Sequence, residues 1–227
     1  MAKHLHIEIE RLKRRVLGVG ATVVEAIQKA LLSLEARRGE IAKEVIAGDE
    51  KVDHDEVELE EECLKLLALY QPVAEDLRFI TAVMKINNDL ERMGDEAVNI
   101  AEHAAFLSRN EPVPVPPQMS EITRAAMRMV RESLDAFVAS DVQEALRICA
   151  EDDEVDRLNR EIIQAVWKMM QKDPQTIERA THLFSVSRHL ERIADHATNI
   201  AEDVVYMVEG RIIRHNANVY DPQSGKA

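Results

Sequence analysis

Glycine and aromatic residues are scarce in this chain of 227 residues: there are seven glycines, and Phe, Trp and Tyr together make 4%. Sheets favour aromatic and β-branched side chains and hairpins need turn glycines, so a β-sandwich or barrel is excluded. Cysteine is almost missing. Cys63 and Cys149 form no CxxC and each sits in an apolar helical pattern, which predicts buried thiols in a reducing compartment. A basic excess is missing too. The net charge of −13 repels phosphate backbones and argues against a nucleic-acid-binding protein, while leaving cations and basic protein partners open. No uncharged run approaches the ~20 residues of a bilayer span. The apolar stretch "VLGVGATVV" follows basic residues as a leader would, but Glu25 breaks it in helical period, so a mature helix and no membrane insertion are expected. Catalytic signatures are also wanting: no Gly-rich phosphate loop, no GxSxG, and no Glu-x-x-His pair of the di-iron bundle enzymes.

What remains is helix-forming sequence. Hydrophobic residues at 46% and charged residues at 31% suit a folded globular chain rather than a disordered one. Ile9, Leu12, Val16, Val19, Val23, Ile27, Ala30 and Leu34 recur at threes and fours, one face of a long helix. Gly39 interrupts it. A short helical piece, "EIAKEVIA", is expected to stop at Gly48, with a second long helix from Asp49 to about Tyr70. A third runs from about Ala74 to Leu107, with Leu77, Ile80, Val83, Met84, Ile86, Leu90, Met93, Ala97 and Ile100 on its apolar side. Then come four prolines between Pro112 and Pro117, which cannot be helix interior and read as an extended linker.

The second half repeats the plan: a helix over about Gln118 to Ser140, a short piece "VQEALRICA", a helix from Asp152 to about Lys172, and a last helix from Pro174 to about Val208. Pro174 mirrors Pro72, each a good first-turn residue. Three long helices burying one stripe each make a three-helix bundle. The expected fold is therefore all-α, two tandem three-helix bundles related by duplication. Residues 1–109 form the first bundle, 110–118 the linker, 119–214 the second bundle and 215–227 a tail.

The duplication is plainest in one polar string. "DLERMGDEAVNIAE" spans 89–102 and "HLERIADHATNIAE" spans 189–202. Glu91, Asp95 and Asn99 are four apart and stack on one helix face, as do Glu191, Asp195 and Asn199. The preceding helices carry their own pairs at the same spacing, Asp49 with Asp53 and Asp152 with Asp156. Each bundle thus offers two carboxylate pairs from neighbouring helices, an oxygen-only donor set suited to hard cations such as Mg, Mn, Ca or iron. The competing explanation is that Asp49 and Asp152 are helix N-caps and that the glutamates pair with arginines. Retention of polar positions in both copies favours the cation site, with Asn99 and Asn199 as outer-shell candidates. His54, His103 and His196 have no histidine counterpart in the other copy and are expected to be solvated or casually bonded. Met127, Met129, Trp167, Met169 and Met170 are expected in the core and helix contacts.

"LLALYQPVAEDLRFI", followed by the two polar strings on either side of a proline linker, resembles the PhoU family of phosphate-uptake regulators over essentially the whole chain. The resemblance implies two similar three-helix bundles and a homodimer with no enzymatic activity. It implies multinuclear metal sites (iron, zinc, manganese or magnesium) at Asp49, Asp53, Glu91, Asp95, Asp152, Asp156, Glu191 and Asp195. It further implies a cytoplasmic protein reaching the inner membrane through two partners, the ATPase subunit of a phosphate ABC transporter and a membrane sensor histidine kinase. With them it keeps the phosphate-starvation response off when phosphate is plentiful. The second half departs from the pattern, because "DPQTIERATHLF" lacks the Asp-Leu-Arg of "QPVAEDLRFI". A metalloenzyme of the carboxylate-bundle type and a metal-free helical adaptor remain the alternatives.

Overall fold

The computed structural model describes residues 2–214, so the segment 215–227, expected as a tail, lies outside the described residues. Six long helices follow one another: α1 (Ala2–Glu35), α2 (Gly39–Tyr70), α3 (Ala74–Arg109), α4 (Gln118–Ala139), α5 (Val142–Lys172) and α6 (Ile177–Glu209). A 3-10 turn, Pro174–Thr176, leads into α6, and there is no strand among the described residues. The fold is all-α, with α1, α2 and α3 packed as one three-helix bundle and α4, α5 and α6 as the other.

The stripe on α1 is buried along its length. Leu12, Val16, Val19, Val23, Ile27 and Ala30 enter the core, and Leu34 packs at its edge. A window of α1 (within His4–Glu35, mean hydropathy 1.4) is long and apolar enough to cross a membrane. Its apolar face is the one spent on α2 and α3. Hydrophobic burial on this face is the main force closing the bundle.

Two expected breaks do not occur. α2 runs unbroken through Gly48, and α5 unbroken from Val142 to Lys172. An interior glycine costs a helix about 1 kcal/mol. Val45 and Val52, one turn either side of Gly48, are both buried on the core face, and that packing outweighs the cost. Pro72 lies before α3 rather than in its first turn, since α2 ends with Gln71 in the left-handed conformation at φ 45°. Two apolar assignments also fail. Leu77 is exposed at the start of α3, and Trp167 is 63% exposed on α5, whereas Met127 and Met129 are buried as expected. Cys63 and Cys149 are buried and form no disulfide, and burial pushes the Cys63 thiol up to about 12.

The two bundles meet chiefly along α3 and α6, which run antiparallel. Each bundle also anchors the far end of the other's third helix. Arg78, from the Asp-Leu-Arg element, donates from Nε to the Met207 carbonyl at 3.2 Å, near the end of α6. Arg179, the arginine of the departing second-half sequence, donates to the Glu111 carbonyl at 3.2 Å, just past the end of α3. Helix C-termini leave unpaired carbonyls, and a cation there is favourable on both hydrogen-bond and dipole grounds.

Candidate metal-binding carboxylates and the seam between the bundles

The structure places the predicted acids in two groups, one per bundle. Asp49 and Asp53 stand on α2 beside Glu91 and Asp95 on α3; Asp152 and Asp156 stand on α5 beside Glu191 and Asp195 on α6. Gly94 sets the approach in the first bundle. A Cβ there would lie 3.3 Å from Val52 Cγ1 and 3.8 Å from Asp49 Oδ1, so the missing side chain lets α2 come close at the level of the acids. The second copy carries Ala194 at this position.

Because α2 and α5 are continuous, Asp49 and Asp152 lie well inside their helices. Neither is an N-cap, and neither sits in a first turn where the helix dipole would reward it. The capping role at the start of α5 belongs to Asp141, which accepts from the backbone N–H groups of Gln143 and Glu144. The capping explanation for the two acids is therefore removed.

Burial and neighbouring acids raise the pKa of Asp49, Glu91, Asp152 and Asp195. Burial, then Asp53 and Asp95, push Asp49 above the usual carboxylate range; burial and Asp95 do the same to Glu91, against the pull of Arg92. In the second bundle burial and Asp156 raise Asp152, although Thr198 donates to its Oδ1 at 3.4 Å. Asp195 is pushed up to about 6 by burial, Asp152, Glu191 and Asp156. Its side chain is solvent-accessible while flanked by acids, so the repulsion is partly screened.

Arginines offset part of this charge. Arg92 lies 3.5 Å from Glu91 and 3.9 Å from Asp95; Arg160 lies 3.4 Å from Asp156; Arg188 lies 2.6 Å from Glu191. Among the described residues no group of three or more His, Cys, Asp or Glu side chains is arranged to hold a metal ion. The oxygen donors fit a hard cation in chemistry and in their mutual repulsion. To hold one they must turn away from their arginines and converge.

Asn199 reaches away from the second group. Its Nδ2 donates across the bundle boundary to Asp89 Oδ1 at 3.1 Å, so it serves the α3–α6 seam. The histidines are corrected in the same way. His54 is exposed beside Glu58, as expected. His196 Nδ1, however, lies 2.8 Å from Asp89 Oδ1, and His189 Nδ1 lies 2.5 Å from the buried carboxylate of Glu96. His103 contacts both His182 and His189. These contacts form a ladder: residues 89, 96 and 103 of α3 face 196, 189 and 182 of α6, seven apart on each side. The acid–histidine pairs obey the duplication with roles exchanged, since Asp89 stands where the second copy has His189, and Glu96 where it has His196.

The repeated Leu-Glu-Arg arginines diverge in use. Arg92 stays with its own acids, while Arg192 crosses the seam to Glu96 Oε1 at 2.8 Å. Further along, Lys85 reaches the buried Asp203 at 2.9 Å, and Arg214 joins the same carboxylate. The seam is thus polar for most of its length. At its flanks Phe79 stacks on Phe137 at 5.9 Å, and Leu134 of α4 packs against Gly20 of α1.

A duplicated three-helix bundle with an acid quartet on each copy defines a class of helical repeat protein built around paired carboxylate faces. The PhoU domain matches this chain twice, over residues 16–104 and 119–204, and the chain belongs to the PhoU family. It is 42% identical over 208 residues to the phosphate-specific transport system accessory protein PhoU homolog of Aquifex aeolicus strain VF5, covering 92% of this chain and 94% of that one. The corresponding Caulobacter vibrioides homolog is 37% identical, covering 89% of each. Among solved structures, PhoU from Pseudomonas aeruginosa superposes with a TM-score of 0.88 at 35% identity, covering 91% of this chain and 99% of that one. The phosphate transport system regulatory protein PhoU from Streptococcus pneumoniae gives 0.86 at 30% identity, covering 92% and 98%.

Proposed function

We propose that this protein is an accessory regulator of a phosphate-specific transport system. It works by protein contact rather than catalysis, as a cytoplasmic homodimer. Its partners are the ATPase subunit of the phosphate ABC transporter and a membrane sensor histidine kinase, and it restrains the phosphate-starvation response when phosphate is plentiful. The observation that carries this reading is similarity along nearly the whole of both chains to relatives named as accessory proteins of such a system. Deleting the gene should raise starvation-gene expression in phosphate-rich medium, and the tagged protein should retain the transporter ATPase in a pull-down. Unchanged expression in the deletion strain overturns the regulatory role.

The acid quartets are proposed as cation sites. Asp49, Asp53, Glu91 and Asp95 would hold the ion or ions in the first bundle, and Asp152, Asp156, Glu191 and Asp195 those in the second. A bound iron, zinc, manganese or magnesium ion supplies positive charge that ties two helices together. The support is the repetition of the acids in both bundles, their position inside helices where capping does not explain them, and the raised pKa of Asp49, Glu91, Asp152 and Asp195. A second reading, a metal-free helical adaptor, is favoured by the arginines already beside Glu91, Asp156 and Glu191.

A further inference from the structure

Where α3 nears its end and α6 begins, three imidazoles lie in a row. His103 Nδ1 is 2.8 Å from His182 Nδ1, and His103 Nε2 is 3.3 Å from His189 Nε2. The far nitrogen of His189 is held by Glu96 at 2.5 Å. His182 stacks on Phe106, ring centroids 3.8 Å apart and nearly parallel, which fixes it from the other side.

The row sets its own proton count. An N–H···N link needs one protonated and one bare nitrogen, because two N–H groups facing each other repel. With His189 donating to Glu96 and one proton in each link, three protons serve the three rings, which is the neutral complement. A fourth fits the outer nitrogen of His182 with every link intact. A further proton has to enter a link, on His103 or on His182, and no second carboxylate within the row receives its charge.

We propose that this row is an acid-released latch between the two bundles: a second positive charge on His103 or His182 breaks the imidazole links and opens the α3–α6 seam at this end. The surroundings agree. On α6, Glu178 lies one turn before His182, and Arg179 is bound to Glu111. Arg192 is committed to Glu96. From the α1–α2 turn, Arg37 is fixed on the carbonyls of Leu107 and Asn110. α2 presents Gly39 to Ser108, and α4 presents the neutral Met119, Ser120 and Thr123 to the groove beside Leu107 and Leu183. Glu96 holds the row at His189 and Glu178 acts on His182, while Glu35 of α1 lines the groove beside Leu107 and Leu183.

Burial first, then His189 and His182, push His103 down to about 4, and burial lowers His182 as well. Both groups bind a proton better in the open state than in the closed one. The closed seam is therefore fully stable above the ordinary histidine value of 6.5, and loses stability as pH falls from there towards about 4.

Hydrogen–deuterium exchange on the full chain tests this, at about pH 7.5 and about pH 5, with intrinsic chemical rates corrected. The expected result is a selective loss of protection, about tenfold or more, in the second half of α3 and the first half of α6, with α2 and α5 unchanged. His103→Gln with His182→Gln, and His182→Asn alone as a milder variant, should abolish the pH dependence of these segments. The latch is overturned if the segments are equally protected at both pH values, if all helices lose protection together, or if the folded variants keep the parent's pH response.

Discussion

Asp195 shows most directly what the acid quartets cost. Its folded pKa of about 6 stands above the ordinary 3.8, so ionising it is harder in the native state than in the unfolded chain. Stability present below about 4 is lost as pH rises through about 6, and the loss then persists. A shift of that size is about 3 kcal/mol at full strength, and screening at this accessible position reduces it to about 1 kcal/mol. Metal-free Asp195→Asn should therefore melt higher than the parent at neutral pH and no higher near pH 4. A lower melting temperature at neutral pH would show that Asp195 is stabilised by a partner rather than strained by its neighbours. The positions of the eight acids were legible because a four-residue spacing survives in both copies. The histidine contacts were not, because His103, His189 and His196 have no histidine counterpart in the other copy. The readable signal was an exchange, with acid in one copy where the other has histidine, three times at seven-residue intervals: Asp89 and His189, Glu96 and His196, His103 and Asp203.

At the scale of helices, local propensity misled where packing prevailed. Gly48 and the stretch before Asp152 read as breaks, yet the helices pass through because their apolar faces on either side share one core. Gly48 is helical, and a Cβ there would meet nothing within 4 Å. Gly48→Ala should therefore stabilise the protein by about 0.5–1 kcal/mol, read as a raised denaturant midpoint with unchanged slope. A loss of stability would mean that α2 needs a flexible point there. The error mattered beyond boundaries, since the supposed break made Asp49 and Asp152 look like caps. Leu77 stands in the first turn of α3, one turn before the fully buried Ile80. Trp167 lies off the buried stripe of α5, which runs through Ile162 and Val166 to Met169 and Met170.

For the whole molecule, the bundle count and the break between bundles were legible from the proline run and the repeated string. How the bundles sit together was not. Contacts between Arg78 and Met207, or Lys85 and Asp203, join residues more than a hundred positions apart, and no periodicity within one helix encodes them. α3 and α6 each carry acids toward their own bundle and seam residues toward the other. The most direct test of the account is the metal content, by elemental analysis, of protein purified without chelator, alongside Glu91→Gln/Asp95→Asn and Glu191→Gln/Asp195→Asn. The account predicts bound metal in the parent and a partial loss in each double variant, confined to the altered bundle and additive when the two are combined. Full metal content in both variants, or none in the parent, would contradict it and leave the arginine-paired adaptor.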